Sequence, residues 1–501
     1  MTDPEIIQGG MGVGVSDWRL ARAVSRLGQL GVVSGTALDV QLARRLQLGD
    51  PGGDLRRAME SFPDAEIATR VRERYFVEEG IEMDRPFPRI PRYTVDPPRE
   101  LWELTVLANF VEVYLAREAH EGPVGINYLE KVQLPVLPSL YGALLAGVDY
   151  VLIGAGIPLD VPGVLTRLVE HRPASVRAHL TENGNGGKEV RLRFDPSWVD
   201  AGTPSLSRPS FLPIVSSVAL AKILLKRADG PVDGFVVEGP EAGGHNAPPR
   251  GKTRLDGNGE PIYGPRDRPD LGELRSLEVP FWLAGSQGHP GCLERAQDRG
   301  AAGIQVGTAF AFCRESGLDP GFRRIVIDAI LSGDDAVRTD PLASPTGFPF
   351  KVLEVPGTLS DEAVYSSRRR RCDLGYLREV YRREEGSIGY RCPAEPVHAY
   401  VHKKGREEET VGRKCLCNAL LANVGLAQRG PDSWIEPPLL TAGRDLSCLG
   451  YYLTAGERDY GARDVVKTLA TGSPPRSSTW NPDEERTGAG VGDSGPVIPG
   501  E

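Results

Sequence analysis

The stretch Val236 to Gly251, VVEGPEAGGHNAPPRG, decides how the rest of the chain is read. The apolar run Phe235-Val236-Val237 leads into it and predicts a buried β-strand. The sequence then turns abruptly polar and glycine-rich. Gly239, Gly243 and Gly244 permit positive φ and close backbone approach to a ligand. His245 follows directly, a residue able to exchange a proton near neutral pH without special tuning. A buried strand ending in glycines and a histidine fits the catalytic rim of an α/β fold. A tight turn carrying a solvated histidine has the same local pattern, so the flanking units must decide.

Those units repeat one grammar. Upstream, EIIQGGMGVGVSDWRLARAVSRLGQLG runs from an apolar segment through Gly9, Gly10, Gly12 and Gly14 into a helix, with Ser16 as the expected N-cap. A strand follows at Gly31–Ser34. Strand-like runs recur at 124–129, 150–153, 175–180, 279–284 and 303–306, alternating with helical periodicity near 138–147, 164–170, 217–227 and 291–299. Counting units gives about eight βα repeats between residues 5 and 331, which predicts a closed (β/α)8 TIM barrel of the α/β class. Residues 1–356 are assigned to it, with insertions at 52–122, 182–213 and 246–268. The first insertion contains helical stretches near 64–78 and 99–119, and the last is long enough for a lid. Residues 357–470 form a cysteine-containing extension, and 471–501 a disordered tail.

Composition narrows the function classes. At 501 residues with 40% hydrophobic and 25% charged content, the chain has the profile of a soluble globular protein. A net charge of −9, spread along the chain, disfavours a nucleic-acid surface. The basic run Arg368 to Arg371 is expected to be solvated or paired with carboxylates. No long apolar span or basic-then-apolar leader is present, which predicts a cytoplasmic protein without membrane contact.

Two further strand ends form a pair. AGSQG (Ala284 to Gly288) and Gly307-Thr308 terminate the expected seventh and eighth strands, where barrels commonly bind phosphate. Gly285 and Gly307 give close approach, and Ser286 and Thr308 add hydroxyl donors. Together with QGGMG, VEGPEAGGH and GIQVGTAF, these motifs resemble the flavin-binding barrel family that contains nitronate monooxygenases and flavin-dependent enoyl-acyl-carrier-protein reductases. The resemblance spans roughly residues 5–356, including SPTGFPFKV (Ser344 to Val352), similar to that family's closing segment.

The resemblance implies FMN as cofactor. It places Gly9, Gly10 and Met11 under the isoalloxazine, Asn127 at the end of the third strand, and Gly243 and Gly244 beside the flavin. It makes His245 the catalytic histidine, and Gly285, Ser286, Gly307 and Thr308 the phosphate loops. Two departures are visible: Ser286 stands where the family has glycine, and Asn246-Ala247-Pro248-Pro249 replaces a glycine soon after the histidine. The implied activity is oxidation of a nitronate or similar small carbon acid with O2. A reductase of activated double bonds using NAD(P)H, and a non-catalytic barrel with a partner-binding extension, are the alternatives. The partner is a small-molecule substrate; a homo-oligomer stays open.

Cys372, Cys392, Cys415 and Cys417 crowd into the extension, near His398 and His402. Four thiolates could hold zinc or an iron–sulfur cluster. The one close pair is Cys-x-Cys and no C-x-x-C exists, so they are read as buried thiols and no metal is assigned.

Overall fold

The computed structural model describes residues 3–82, 84–181, 189–199, 202, 205–333, 336–430, 434–453 and 457–473. Its centre is a ring of eight parallel strands: β1 (Ile6–Gln8), β2 (Gly31–Ser34), β3 (Val124–Leu129), β4 (Tyr150–Gly154), β5 (Ser210–Val215), β6 (Phe235–Glu238), β7 (Phe281–Ala284) and β8 (Gly303–Val306). β1 pairs with β8, and the order then descends through β7, β6, β5, β4 and β3 to β2. A parallel bridge between Ile7 and Leu30 closes the ring, with Gln8 N–H on Leu30 O at 2.9 Å. This is the (β/α)8 barrel expected from the repeat count.

The strands are apolar because both of their faces are covered. Ile7, Val32, Leu152, Leu212, Val236 and Trp282 belong to one cluster inside the ring, whereas Phe235, Val237 and Leu283 pack outward with the helices. Side chains alternate along a strand, so residues two positions on from the inner cluster share its face. Those residues are Gly154, Ile214, Glu238 and Ala284, at the C-terminal mouth of the ring.

The fifth strand corrects the sequence reading. Ser175 to Leu180 was expected to supply it, but Ala174–Arg177 pairs antiparallel with Arg191–Phe194 outside the ring. The barrel strand is Ser210–Val215, which the expected insertion 182–213 partly covers. Pro213 argues locally against a central strand. Burial of Phe211, Leu212 and Val215 outweighs the single missing N–H. The NGNGG turn expected at 183–187 lies outside the described residues. A second correction concerns the first helix, Trp18–Ser25, which is N-capped by Asp17 rather than Ser16.

The first insertion is helical, with helices at Asp54–Glu60, Ala65–Tyr75 and Arg99–Arg117. The 19-residue helix Arg99–Arg117 is buried along most of its length against Val136–Leu145 and Trp18–Ser25. No described helix is long and apolar enough to cross a membrane.

The segment after the barrel folds back onto it. Strands Glu379–Arg382 and Ile388–Arg391 form a hairpin that adds to Leu180–Thr181. Helix Ala462–Thr471 packs on Trp18–Ser25 and Cys292–Asp298. Thr471 therefore ends a helix; the rest of the tail expected to be disordered, from 474 onward, lies outside the described residues. The basic run is not a surface patch. Arg368 is buried with Glu436 at 2.6 Å, Arg370 donates to the carbonyls of Pro393 and Thr410, and Arg371 stacks on Trp434.

Candidate active site

The loop after β1 is held from below by two side chains. Ser16 Oγ accepts the N–H of Met11 at 2.9 Å and donates to Gly9 O at 2.9 Å. Gln8 reaches Ser16 Oγ with its amide nitrogen and accepts the N–H of Val32 with its amide oxygen, both at 2.9 Å. The hydroxyl expected to cap a helix thus fixes the glycine turn instead. Gly10 is required there, since a Cβ would fall inside contact distance of Asn127 Cβ. Asn127 Nδ2 donates to Gly10 O at 3.1 Å, and its Oδ1 is buried without a partner among the described residues. Gln305 Oε1, on β8 next to β1, is left in the same condition among the described residues.

The loop after β6 carries the histidine. Gly244 adopts φ +74°, and His245 then bridges antiparallel to Phe350. Lys351 N–H on Gly244 O (2.8 Å) and Asn246 N–H on Pro349 O (2.9 Å) complete that pinning. His245 Nε2 lies 2.7 Å from Ser344 Oγ, and its ring meets Phe350 edge-on at 4.9 Å. Burial, followed by the charge of Lys131, lowers His245 to about 4. The ring is therefore neutral at physiological pH, which differs from the proton exchange near neutrality expected from the sequence. Burial pushes the Glu238 carboxyl up to about 8, against the opposing charge of Lys351. Lys351 is itself lowered to about 8 by burial; its Nζ donates to Pro240 O at 2.8 Å and Thr339 Oγ1 at 2.5 Å.

The loops after β7 and β8 lie side by side. Gly285 has φ +93° and Ser286 φ +51°, so the serine occupies a left-handed conformation that glycine would take more easily. Among the described residues, the N–H groups of Ser286, Gln287 and Thr308 have no acceptor. Thr308 Oγ1 accepts the N–H of Gly443 at 2.9 Å and keeps its own hydroxyl proton to donate.

These loops surround one cavity of about 240 Å³. Gly9, Gly10, Met11, Asn127, Gly243, Gly244, His245, Gly285, Ser286, Gly307 and Thr308 all line it. Glu238 and Gln305 share its wall, though sequence reading passed over Gln305 and gave Glu238 no role. The inward alternation along β6 and β8 was the signal that could have found them.

Two walls had no signal in the sequence. Thr441 Oγ1 accepts the N–H of Gly244 at 3.0 Å, Arg444 N–H bonds Glu241 O at 2.9 Å, and Asp445 meets His289 Nε2 at 2.5 Å. The hydrogen bond from His289 is the main reason Asp445 is held down to about 2. Tyr376, Leu377, Leu416, Cys417 and Leu420 line the cavity as well and supply an apolar side.

A comparison with curated proteins finds no match. Among solved structures, FabK from Thermotoga maritima aligns at 15% identity and TM-score 0.47, over 94% of this chain and 93% of that chain. Nitroalkane oxidase from Streptomyces ansochromogenes aligns at 18% identity and TM-score 0.47, over 93% and 94%. The enoyl reductase domain of MlnA, from the macrolactin biosynthesis cluster of Bacillus amyloliquefaciens, aligns at 11% and 0.46, over 93% and 94%. The model of the nitronate monooxygenase family matches residues 207–333, the stretch that holds β5 to β8, His245 and both paired loops, so over that stretch the chain is similar to the family its motifs resemble.

Proposed function

We propose that the cavity binds FMN and that the protein is a flavin-dependent oxidoreductase of the nitronate monooxygenase kind, acting on a nitronate or similar small anionic carbon acid with O2. The observation that carries this reading is the convergence of the loops after β1, β6, β7 and β8, with His245, on one cavity. The residues present fit the cofactor. Buried Asn127 Oδ1 and Gln305 Oε1 are acceptors awaiting the N–H of a heteroaromatic ring. The N–H groups of Ser286, Gln287 and Thr308 are donors for a terminal phosphate. Bound flavin supplies one- and two-electron transfer.

The chain's own contribution is orientation and proton handling. With Nε2 engaged by Ser344, Nδ1 of His245 is the ring nitrogen left for a ligand. A neutral imidazole can donate to the oxygen of a nitronate or take the proton of a neutral carbon acid. Gly243 and Gly244 bring the backbone close beside it. A second reading rests on Glu238. A carboxyl kept protonated at neutral pH can give its proton to the α-carbon of the enolate formed when hydride adds to the neighbouring β-carbon, as a reductase of activated double bonds with NAD(P)H requires.

Purified protein tests both. Denaturation should release FMN and not FAD. Anaerobic addition of an alkyl nitronate should bleach the flavin band in the first reading, and NAD(P)H in the second. His245→Ala should keep flavin and lose about 10²-fold or more in turnover, while His289→Ala stays milder. Colourless protein that does not take up added FMN refutes the proposal.

A further inference from the structure

Cys372, Cys392, Cys415 and Cys417 come together in one small buried cluster with Ala394. They arrive from three places in the chain. Cys372 follows helix Glu362–Ser367, and Cys392 directly follows strand Ile388–Arg391. Cys415 is the N-cap of helix Leu416–Ala422, and Cys417 lies in its first turn. All four are free thiols. Among the described residues, no group of three or more His, Cys, Asp or Glu side chains is arranged to hold a metal.

Within the cluster the members are not equivalent. Cys372 packs against the buried Cys392, Ala394 and Cys415, and a thiol–thiol hydrogen bond with Cys392 is the first cause of the shift in its acidity. That bond, helped by the charges of Arg378 and Arg92, lowers Cys372 below the usual thiol range. The same bond, together with burial, raises Cys392, and burial raises Cys415 and Cys417. Cys372 and Cys417 are partly exposed, whereas Cys392 and Cys415 are buried, and of the two partly exposed residues only Cys372 has a lowered thiol. A partly exposed cysteine packed against a buried one whose thiol is held protonated is the arrangement of an attacking and a resolving thiol.

We propose that Cys372 and Cys392 are a redox-active dithiol that closes to a disulfide when a hydroperoxide oxidises it by two electrons. The Cys372 thiolate attacks one peroxide oxygen and the O–O bond breaks. The alkoxide or hydroxide leaves with a proton from water, and Cys372 becomes a sulfenic acid. Cys392 sulfur then attacks Cys372 sulfur, an S–S bond forms, and hydroxide leaves with the Cys392 proton as water. The link would tie the end of the hairpin to the segment that runs into Tyr376 and Leu377. Both residues, and Cys417 of the same cluster, line the cavity, so the state of the pair reaches its apolar wall. None of this depends on which cofactor the cavity holds.

The test uses the full chain, reduced, freed of reductant and treated with limiting hydrogen peroxide. Remaining thiols are then alkylated, and the protein is digested with trypsin and mapped without reduction. Cleavage after Arg371, Arg378, Arg391 and Lys403 isolates the two cysteines on separate peptides, CDLGYLR and CPAEPVHAYVHK. The expected result is one linked species joining them, with five of the seven thiols still alkylated. Cys372→Ser should abolish the link and Cys415→Ser should keep it. The wild-type map decides even where a variant does not fold. Linkage through other cysteines, over-oxidised Cys372 with no link, or stoichiometric zinc or iron that masks these thiols until chelation would each overturn the proposal.

Discussion

Lowering the pH from 7 to 5 should weaken this fold through His245. Its folded pKa is lowered from 6.5 to about 4, first by burial and then by Lys131. Between those values the unfolded chain binds a proton that the native ring refuses, so stability is lost as pH falls through this window. From pH 7 to pH 5 the linkage amounts to about 2 kcal/mol, reduced to about 1 kcal/mol to allow for the ring's partial exposure. His245→Asn removes the titration while keeping a polar side chain of similar reach to Ser344. Chemical unfolding of both proteins, followed by tryptophan fluorescence at the two pH values, reads the difference. The wild type should lose about 1–2 kcal/mol more than the variant over this interval. An NMR titration supplies the direct check, since the ring signal absent from His245→Asn should titrate below pH 5. A midpoint near 6.5 for that signal, or identical pH dependence of the two proteins, would refute the argument.

Two other perturbations follow from the packing. Glu436→Ala leaves the Arg368 guanidinium buried without its partner at 2.6 Å, and should cost about 3–5 kcal/mol in denaturant unfolding. Replacing both residues together, as Arg368→Met with Glu436→Leu, should restore much of that loss; equal damage in the pair and the single variant would contradict it. Gly10→Ala forces its Cβ against Asn127 Cβ and must shift the loop after β1. Overpacking of about 1–3 kcal/mol corresponds to FMN binding weakened roughly 10- to 100-fold, measurable by fluorescence titration. Unchanged affinity would place that loop away from the flavin.

What the sequence made legible was local. A parallel strand buried on both faces must be an apolar run, and a backbone that turns back at its end needs glycine. Val236 to His245, the QGGMG turn and the 285–308 pair could therefore be located without tertiary information. Strand β5 failed that test because Pro213 suppresses its local signal, while the half-buried pair 174–177 and 191–194, outside the ring, mimics it. The remainder of the site is built from partners far apart in the chain. Ser344 meets His245 across 99 positions, and Thr441 meets Gly244 across 197. No periodicity or spacing records such contacts. Ser16 shows the converse, a residue correctly singled out beside a helix start but used to hold the glycine turn after β1. The four thiols were visible as a cluster in sequence; their division into one hydrogen-bonded pair and two spectators needed the fold.

The crossing of residues 440–449 over the ends of β6 to β8 also sets an order of events during synthesis. All eight strands have been translated once Val306 is made, so the ring can close while well over a hundred residues are still to come. Until Thr441, Gly443 and Asp445 leave the ribosome, the mouth lacks one wall, and the surface that later receives Leu440, Leu446 and Leu449 is bare. At ordinary elongation rates that interval lasts on the order of ten seconds. A nascent chain in this condition is a sticky half-product, vulnerable to chaperone capture or aggregation, and any ligand that enters early meets an open bowl. Retention of any ligand in the cavity would thus be a late event, coupled to completion of the polypeptide. A nick in the connection between residues 426 and 439 would return the finished protein toward that earlier state.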